Sequence, residues 1–215
     1  MVRDNSIRDE FSVVVGTPKT PTPELSSRIE KIVANPKWNV PVSIIQNEII
    51  PKVKKDSTYI SKNNFKVVDR YNNYIDYNQI DWDSESEYYF VQNSGNSNAL
   101  GLLKFTFNNP YSVYIHDTPS KKYFKYDIRA FSHGCIRLEN PDRLAQNLID
   151  QNSVETNIPD IKKLLKKQES QVVELSHPID IHIRYLTCEA DENLSLYFYK
   201  DIYNKDTELL KLFLN

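Results

Sequence analysis

Ile179, Ile181, Ile183 and Tyr185 alternate with Asp180, His182 and Arg184, the cleanest two-residue period in the chain. That period predicts a strand over residues 179–187 with one face buried. Shorter β-branched or aromatic runs at residues 11–15, 65–68, 88–92, 99–107, 111–116, 172–175 and 194–199 also read as strands. The run at 11–15 is ended by Gly16, and Ser94-Gly95-Asn96 marks a turn. The runs at 99–107 and 111–116, joined by Asn108-Asn109-Pro110, predict a hairpin with a loop longer than the tightest type.

Helical spacing is rarer. Leu25, Ile29, Ile32 and Val33 fall at it and predict a helix over 25–33. Ser43 is positioned to cap a helix carrying Ile44, Ile45, Glu48 and Ile49, with Pro51 ending or kinking it. Asn140 precedes Pro141 and Asp142, which predicts a capped helix with Leu144, Leu148 and Ile149 facing inward. Asn157-Ile158-Pro159 opens a further predicted helix over 160–167. The three prolines of residues 17–23 enforce extended loop, and the Asn, Asp and Tyr of residues 69–83 read as turns. The pattern is α+β, mainly antiparallel. It predicts one domain over residues 1–215 with a helical insertion near 36–85.

Composition removes several classes of function. The 215 residues carry 27 Lys+Arg against 29 Asp+Glu, so no bulk basicity points to nucleic acid. No run reaches the ~18 apolar residues of a membrane span. Met1 is followed by the charged stretch VRDNSIRDE, which is not a signal peptide and on its own indicates the cytosol. Fourteen Tyr, 9 Phe and only 4 Gly suit a surface that binds sugar or peptide. Two Cys make no disulfide framework. Cys188 ends the alternating strand and is expected to be buried and inert, and His177 and His182 to be structural or solvent-facing.

The chemistry concentrates between Tyr111 and Pro141. A strand ends on His116, a basic and aromatic loop follows, and the stretch closes on Ser132-His133-Gly134-Cys135-Ile136-Arg137. One Cys and two His so placed are the pattern of a thiol nucleophile with a base. Cys135 is the candidate nucleophile, expected as a thiolate, with His116 as base and His133 as an electrostatic or orienting helper. The Asp117 carbonyl or Ser132 would fix the His116 tautomer. Gly134 permits a sharp turn, and the Gly134 and Cys135 amides are candidate oxyanion donors. Arg137 suits a substrate carboxylate. Read as zinc ligands, His116, His133 and Cys135 lack an obvious fourth partner nearby. Trp38 and Trp82 serve as packing residues or as a sugar platform.

The spacing of His116 and Ser132-His133-Gly134-Cys135 resembles the L,D-transpeptidase family with the YkuD-type catalytic domain, in particular its larger murein members of the YcbB type. VVVGTPKTPTP, NPKWNVP, NALGLLKF, YIHDTP, RAFSHGCIRLENP, IDIHIRYLT and DIYNKD carry the likeness over nearly all of the chain. It implies an antiparallel core, a strand rather than a helix at residues 25–33, closing strands at 179–187 and 201–206, and a capping subdomain near 36–85. Ser94 stands where the family commonly has Pro, a difference confined to a turn.

The implied reaction is cysteine acyl transfer. Cys135 would attack a peptidoglycan stem tetrapeptide and release D-Ala, and an amine acceptor would take the acyl group to form a 3-3 cross-link. Catalytic roles fall to Cys135, His116, His133 and Gly134, and substrate contacts to Arg137, Ser132, Asp117, Tyr114 and Trp38. The resemblance implies carbapenems as inhibitors and a reaction that needs neither cofactor nor metal, and a monomer is expected. The resemblance also implies a periplasmic or wall-facing fragment without its signal or anchor. Alternatives are an L,D-carboxypeptidase or endopeptidase, in which water replaces the amine, and a non-catalytic wall-binding module.

Overall fold

Runs of β-branched and aromatic residues bounded by Gly, Pro and Asn set most of this chain as strands. The computed structural model describes residues 1–3, 6–83, 88–152, 160–191 and 193–213. In chain order the strands are β1 (Val2–Arg3), β2 (Ser6–Ile7), β3 (Val13–Gly16), β4 (Leu25–Ala34), β5 (Trp38–Asn39), β6 (Phe65–Val68), β7 (Tyr89–Gln92), β8 (Leu103–Phe107), β9 (Ile115–His116), β10 (Ala130–Ser132), β11 (Ile136–Leu138), β12 (Gln171–Ile183), β13 (Cys188–Ala190) and β14 (Leu196–Phe198). Helix α1 (Val42–Ile44) runs through a π-helical turn (Ile45–Ile49) into α2 (Ile50–Lys55). The remaining α-helices are α3 (Tyr59–Lys62), α4 (Pro141–Asn152), α5 (Ile161–Lys166) and α6 (Lys205–Phe213). The fold is α+β and mostly antiparallel, as the sequence pattern predicts.

Seven strands form the main sheet, in the order β10-β3-β11-β9-β8-β4-β12. The β10–β3 and β11–β9 pairs are parallel, and the rest antiparallel. Ile32 of β4 and Leu103 and Phe105 of β8 pack against Leu144, Leu148 and Ile149 of α4 and Ile161 and Leu164 of α5. Burying each of these side chains contributes about 1.5–3 kcal/mol. A three-stranded sheet, β5-β7-β6, encloses a second core with α1 to α3, built on Val40, Ile45, Ile49, Val53, Ile60, Val67 and Phe90. Trp82 packs into this second core against Tyr88 and Phe90.

Several elements differ from the sequence reading. Residues 25–33 lie in a strand, as the family resemblance implied, and not in the helix that their spacing implied. The register of β4 against β8 shifts between Ile29 and Lys31, so Ile29 and Ile32 both face the core three residues apart. A bulge of this kind imitates helical spacing. Ser43 does not cap the helix: the N-cap is Pro41, without a side-chain bond. Nor does Pro51 end it. Pro51 sits in the first turn of α2, where a missing N–H costs little, and the helix continues to Lys55 and buries Val53.

The predicted strand at 99–107 contracts to β8, because Asn98 Oδ1 takes the Leu100 N–H at 2.8 Å and Gly101 turns the chain at φ +61°. The strand at 111–116 contracts to β9, Ser112 lying at φ +56°. The predicted strands at 172–175 and 179–187 are one strand, β12, with an irregularity between Glu174 and Ile179. Residues 201–206 form no strand. Asp201 Oδ2 accepts the Asp206 N–H at 2.8 Å beside the start of α6. Cys188 is exposed in β13, not buried. Among the described residues β13 pairs with β14 alone, and Cys188 belongs to neither hydrophobic core. Residues 157–159 lie outside the described residues, and Asp160 caps α5 by accepting the Lys162 N–H. No helix among the described residues is long and apolar enough to cross a membrane.

Candidate active site

The sheet register assembles the site. Strand β9 lies between β8 and β11, and His116 stands abreast of Lys104 on one side and Arg137 on the other. The Cys135 loop precedes β11, and the Ile136 N–H bonds to the Tyr114 carbonyl at 3.0 Å, which holds Cys135 beside the β9 ribbon. Residues separated by 19 positions thus border one cleft of about 610 Å³, which His116, Cys135, Arg137, Tyr114, Ser132 and His133 line from the main sheet. Trp38, Ile44, Glu48, Lys52 and Tyr59 line it from the smaller core. A second chamber of about 220 Å³ continues past Arg137, Lys52 and Glu48 toward Phe65, Gln92 and Ser97.

Hydrogen bonds fix the Cys135 loop. Gly134 sits at φ +111°, a conformation that L side chains rarely adopt. Ser132, only 2% exposed, donates its hydroxyl to the Cys135 carbonyl at 2.5 Å and accepts the Gly134 N–H at 3.1 Å. Thr22 Oγ1 donates to the Gly134 carbonyl at 2.9 Å. The Gly134 amide, expected as an oxyanion donor, is therefore occupied by Ser132. Ser132 acts inside the loop and does not fix the His116 tautomer.

His116 is 6% exposed, and its Nδ1 lies 2.5 Å from the Asp117 carbonyl. A carbonyl only accepts, so Nδ1 carries the proton and Nε2 is left as the basic nitrogen of the neutral ring. Burial, aided by the Arg137 and Lys104 cations, pushes the His116 pKa down to about 4, although the Asp117 contacts oppose this. Burial likewise pushes the Cys135 thiol up from its ordinary value, more than contacts from Tyr114, Lys104 and Arg137 bring it down. Thiol and imidazole therefore rest neutral. The expectation of a resting thiolate is corrected: in this half-dry pocket the desolvation of the anion outweighs the neighbouring cations.

Tyr114, expected to contact substrate, has its N–H and its hydroxyl within hydrogen-bonding reach of the Cys135 sulfur, and Trp38 bonds to the same hydroxyl. Asp117 is only 8% exposed and turns from the cleft, with Oδ2 accepting the Leu102 N–H at 2.8 Å and Oδ1 pairing with Lys121. It holds the turn before β8. His133, expected beside Cys135 as helper, instead reaches Glu48 in the π-helical turn, across the cleft. Arg137 is half-buried, stacks its guanidinium 5.8 Å from the Tyr123 ring, and has no carboxylate partner among the described residues. No cluster of three or more metal-ligating side chains occurs among the described residues.

The family model for the YkuD L,D-transpeptidase catalytic domain matches residues 1–156. The chain belongs to this family. It is 32% identical over 209 residues to a Haemophilus influenzae protein named "Putative L,D-transpeptidase", covering 96% of this chain and 42% of that protein. The chain thus spans less than half the length of that relative.

Two residues of this YkuD domain escaped the sequence reading. Lys104 has its Nζ 3.9 Å from the centre of the Tyr114 ring. Its place in the alternating run LKFTF was the available signal, since that parity puts it opposite the face of Leu103 and Phe105. Glu48 carried no signal, because its role depends on how the helical segment folds over the cleft.

Proposed function

We propose that this chain is the catalytic part of a peptidoglycan L,D-transpeptidase that works through a cysteine thioester. The observation that carries the reading is a neutral imidazole whose Nε2 is left as the only basic nitrogen, on the same cleft as a thiol. In the first half-reaction Cys135 Sγ attacks the carbonyl carbon before the terminal D-Ala while its proton passes to His116 Nε2. The tetrahedral oxyanion takes the Cys135 N–H, a donor worth about 3 kcal/mol of barrier. The C–N bond then breaks, the proton leaves with the D-Ala amine, and a thioester remains. In the second half-reaction the acceptor amine attacks the thioester while its proton passes to Nε2, the C–S bond breaks, and Nε2 returns the proton to the sulfur, leaving a 3-3 cross-link.

Arg137 supplies a cation for a stem carboxylate, consistent with its lack of a carboxylate partner among the described residues. Residues 36–85, with the second core, serve as a capping subdomain of a single 1–215 domain, and Trp38 and Tyr59 bring aromatic surface to the cleft. The two connected chambers favour two peptide substrates over one peptide and water. A wall substrate implies an extracytoplasmic location.

The test is mass spectrometry after exposure to a carbapenem, with product analysis on tetrapeptide muropeptides. A covalent adduct on Cys135 and cross-linked dimers are expected. An unmodified Cys135 in the folded protein defeats the cysteine chemistry, whereas tripeptide products alone replace transfer by hydrolysis.

A further inference from the structure

We infer that Lys104 is a positioning residue that works with Arg137 as the second of two fixed cations bracketing the His116 imidazole, setting the charge state of the thiol–imidazole pair from behind the cleft. The inference concerns how the proposed pair is tuned, and so rests on the reading of Cys135 and His116 as the reacting groups.

The geometry is a row across three adjacent strands. Lys104 of β8 is the register partner of His116, and Arg137 of β11 is its partner on the other side. Laterally paired residues share a face of the sheet. The row therefore reads ammonium, imidazole, guanidinium. Lys104 is half-buried, and its Nζ lies over the Tyr114 ring at 3.9 Å, against the aromatic whose N–H and hydroxyl reach the Cys135 sulfur. Neither cation has a carboxylate partner among the described residues. Lys104 does not line the cleft, whereas Arg137 does, so Lys104 acts through Tyr114, His116 and Cys135 and not on substrate.

A lysine buried without a counter-ion costs free energy. Here the cost returns as electrostatics. An imidazolium between two cations is disfavoured, and a thiolate beside them is favoured. The proton that leaves Cys135 during attack thus sits on His116 as a strong acid, ready for the departing amine. The groups that face His116 are Lys104 from β8, Arg137 from β11, and Tyr114 and Asp117 from its own segment, while Cys135 lines the same cleft. The opposing influence comes from Asp117, whose carboxylate is paired with Lys121.

The experiment uses the full chain in a Cys188→Ser background, so that Cys135 is the remaining thiol. Iodoacetamide alkylation rates are measured against pH, and the His116 ring is titrated by NMR, without substrate. Lys104→Met and Lys104→Gln are each expected to raise both titrations by half a pH unit or more, slowing alkylation about threefold below the thiol midpoint. Lys104→Arg restores both. A uniform rate loss with unmoved midpoints, or no change in either neutral variant that retains the wild-type melting temperature, overturns the inference. Because no substrate is present, that failure is separate from failure of the transpeptidase reading, which the carbapenem adduct decides.

Discussion

His116 makes a measurable claim about stability. Its folded pKa of about 4 lies below the ordinary 6.5 because burial and two cations penalise the imidazolium. The unfolded chain binds a proton near 6.5 that the folded chain refuses until about 4. The sign follows: the contribution is fully present above 6.5 and is lost as pH falls from there toward about 4. Between about pH 7.5 and about pH 5 the loss from this group is about 2 kcal/mol, from 2.303RT of 1.36 kcal/mol per unit and the two pKa values. Most carboxylates remain ionised across that interval, which isolates the histidine.

The perturbation is His116→Gln, which keeps a donor for the Asp117 carbonyl and removes the titration. Unfolding free energies from urea titrations at the two pH values supply the assay. Wild type should lose about 2 kcal/mol more than the variant on acidification. The other histidines, His133, His177 and His182, are common to both proteins and cancel in the difference. Equal losses in the two proteins would refute the neutral, buried base. A larger loss in the variant would reverse the sign of the whole electrostatic account.

Other outcomes follow from the same geometry. Gly134→Ala meets no close atom but forces a side chain onto φ +111°, so it should cost about 1–3 kcal/mol in melting experiments and slow carbapenem acylation. Ser132→Ala removes a 2%-exposed hydroxyl that both accepts and donates within the nucleophile loop, and should cost about 1–3 kcal/mol while reducing Cys135 alkylation; an unchanged melting temperature would contradict this. Glu48→Ala breaks an exposed contact with His133 and Lys52 and should change stability by less than about 1 kcal/mol in urea titration, so a larger loss would mark the bridge as structural. Peptide mapping after brief iodoacetamide exposure at neutral pH should find exposed Cys188 modified before Cys135, and the reverse order would contradict a neutral resting thiol.

The chain discloses its chemistry more readily than its local geometry. The Cys135 loop and His116 could be read because their residue types are rare here and closely spaced, and the α4 helix because Pro141 follows Asn140. Residues 25–33 misled because a bulge near Ile29 imitates a helical period, a tertiary event that no local pattern encodes. Ser43 looked like a cap, yet Pro41 already fixes an extended φ and ψ one residue before the helix. Cys188 looked buried because strand alternation says which side a residue faces, not whether anything covers that side. Asp117 looked like a substrate contact because it adjoins His116. Successive strand residues point to opposite faces, and its carboxylate finds the Leu102 N–H.

The charge state of the site was hidden for a deeper reason. A cysteine near histidine and arginine suggests a thiolate, because charge can be counted from sequence and desolvation cannot. Burial acts on both partners in the direction of neutrality, raising the thiol and lowering the imidazole. Cations act on them differently. They help the sulfur ionise but hinder the ring from accepting the proton, so the same residues that favour the thiolate keep the imidazole unprotonated at rest. A resting ion pair would hold its proton on His116 before any carbonyl is attacked, locked there by the neighbouring thiolate. A neutral pair between Lys104 and Arg137 avoids that trap, because the imidazolium exists only while a peptide carbonyl or thioester is being attacked, and always beside a group able to take its proton.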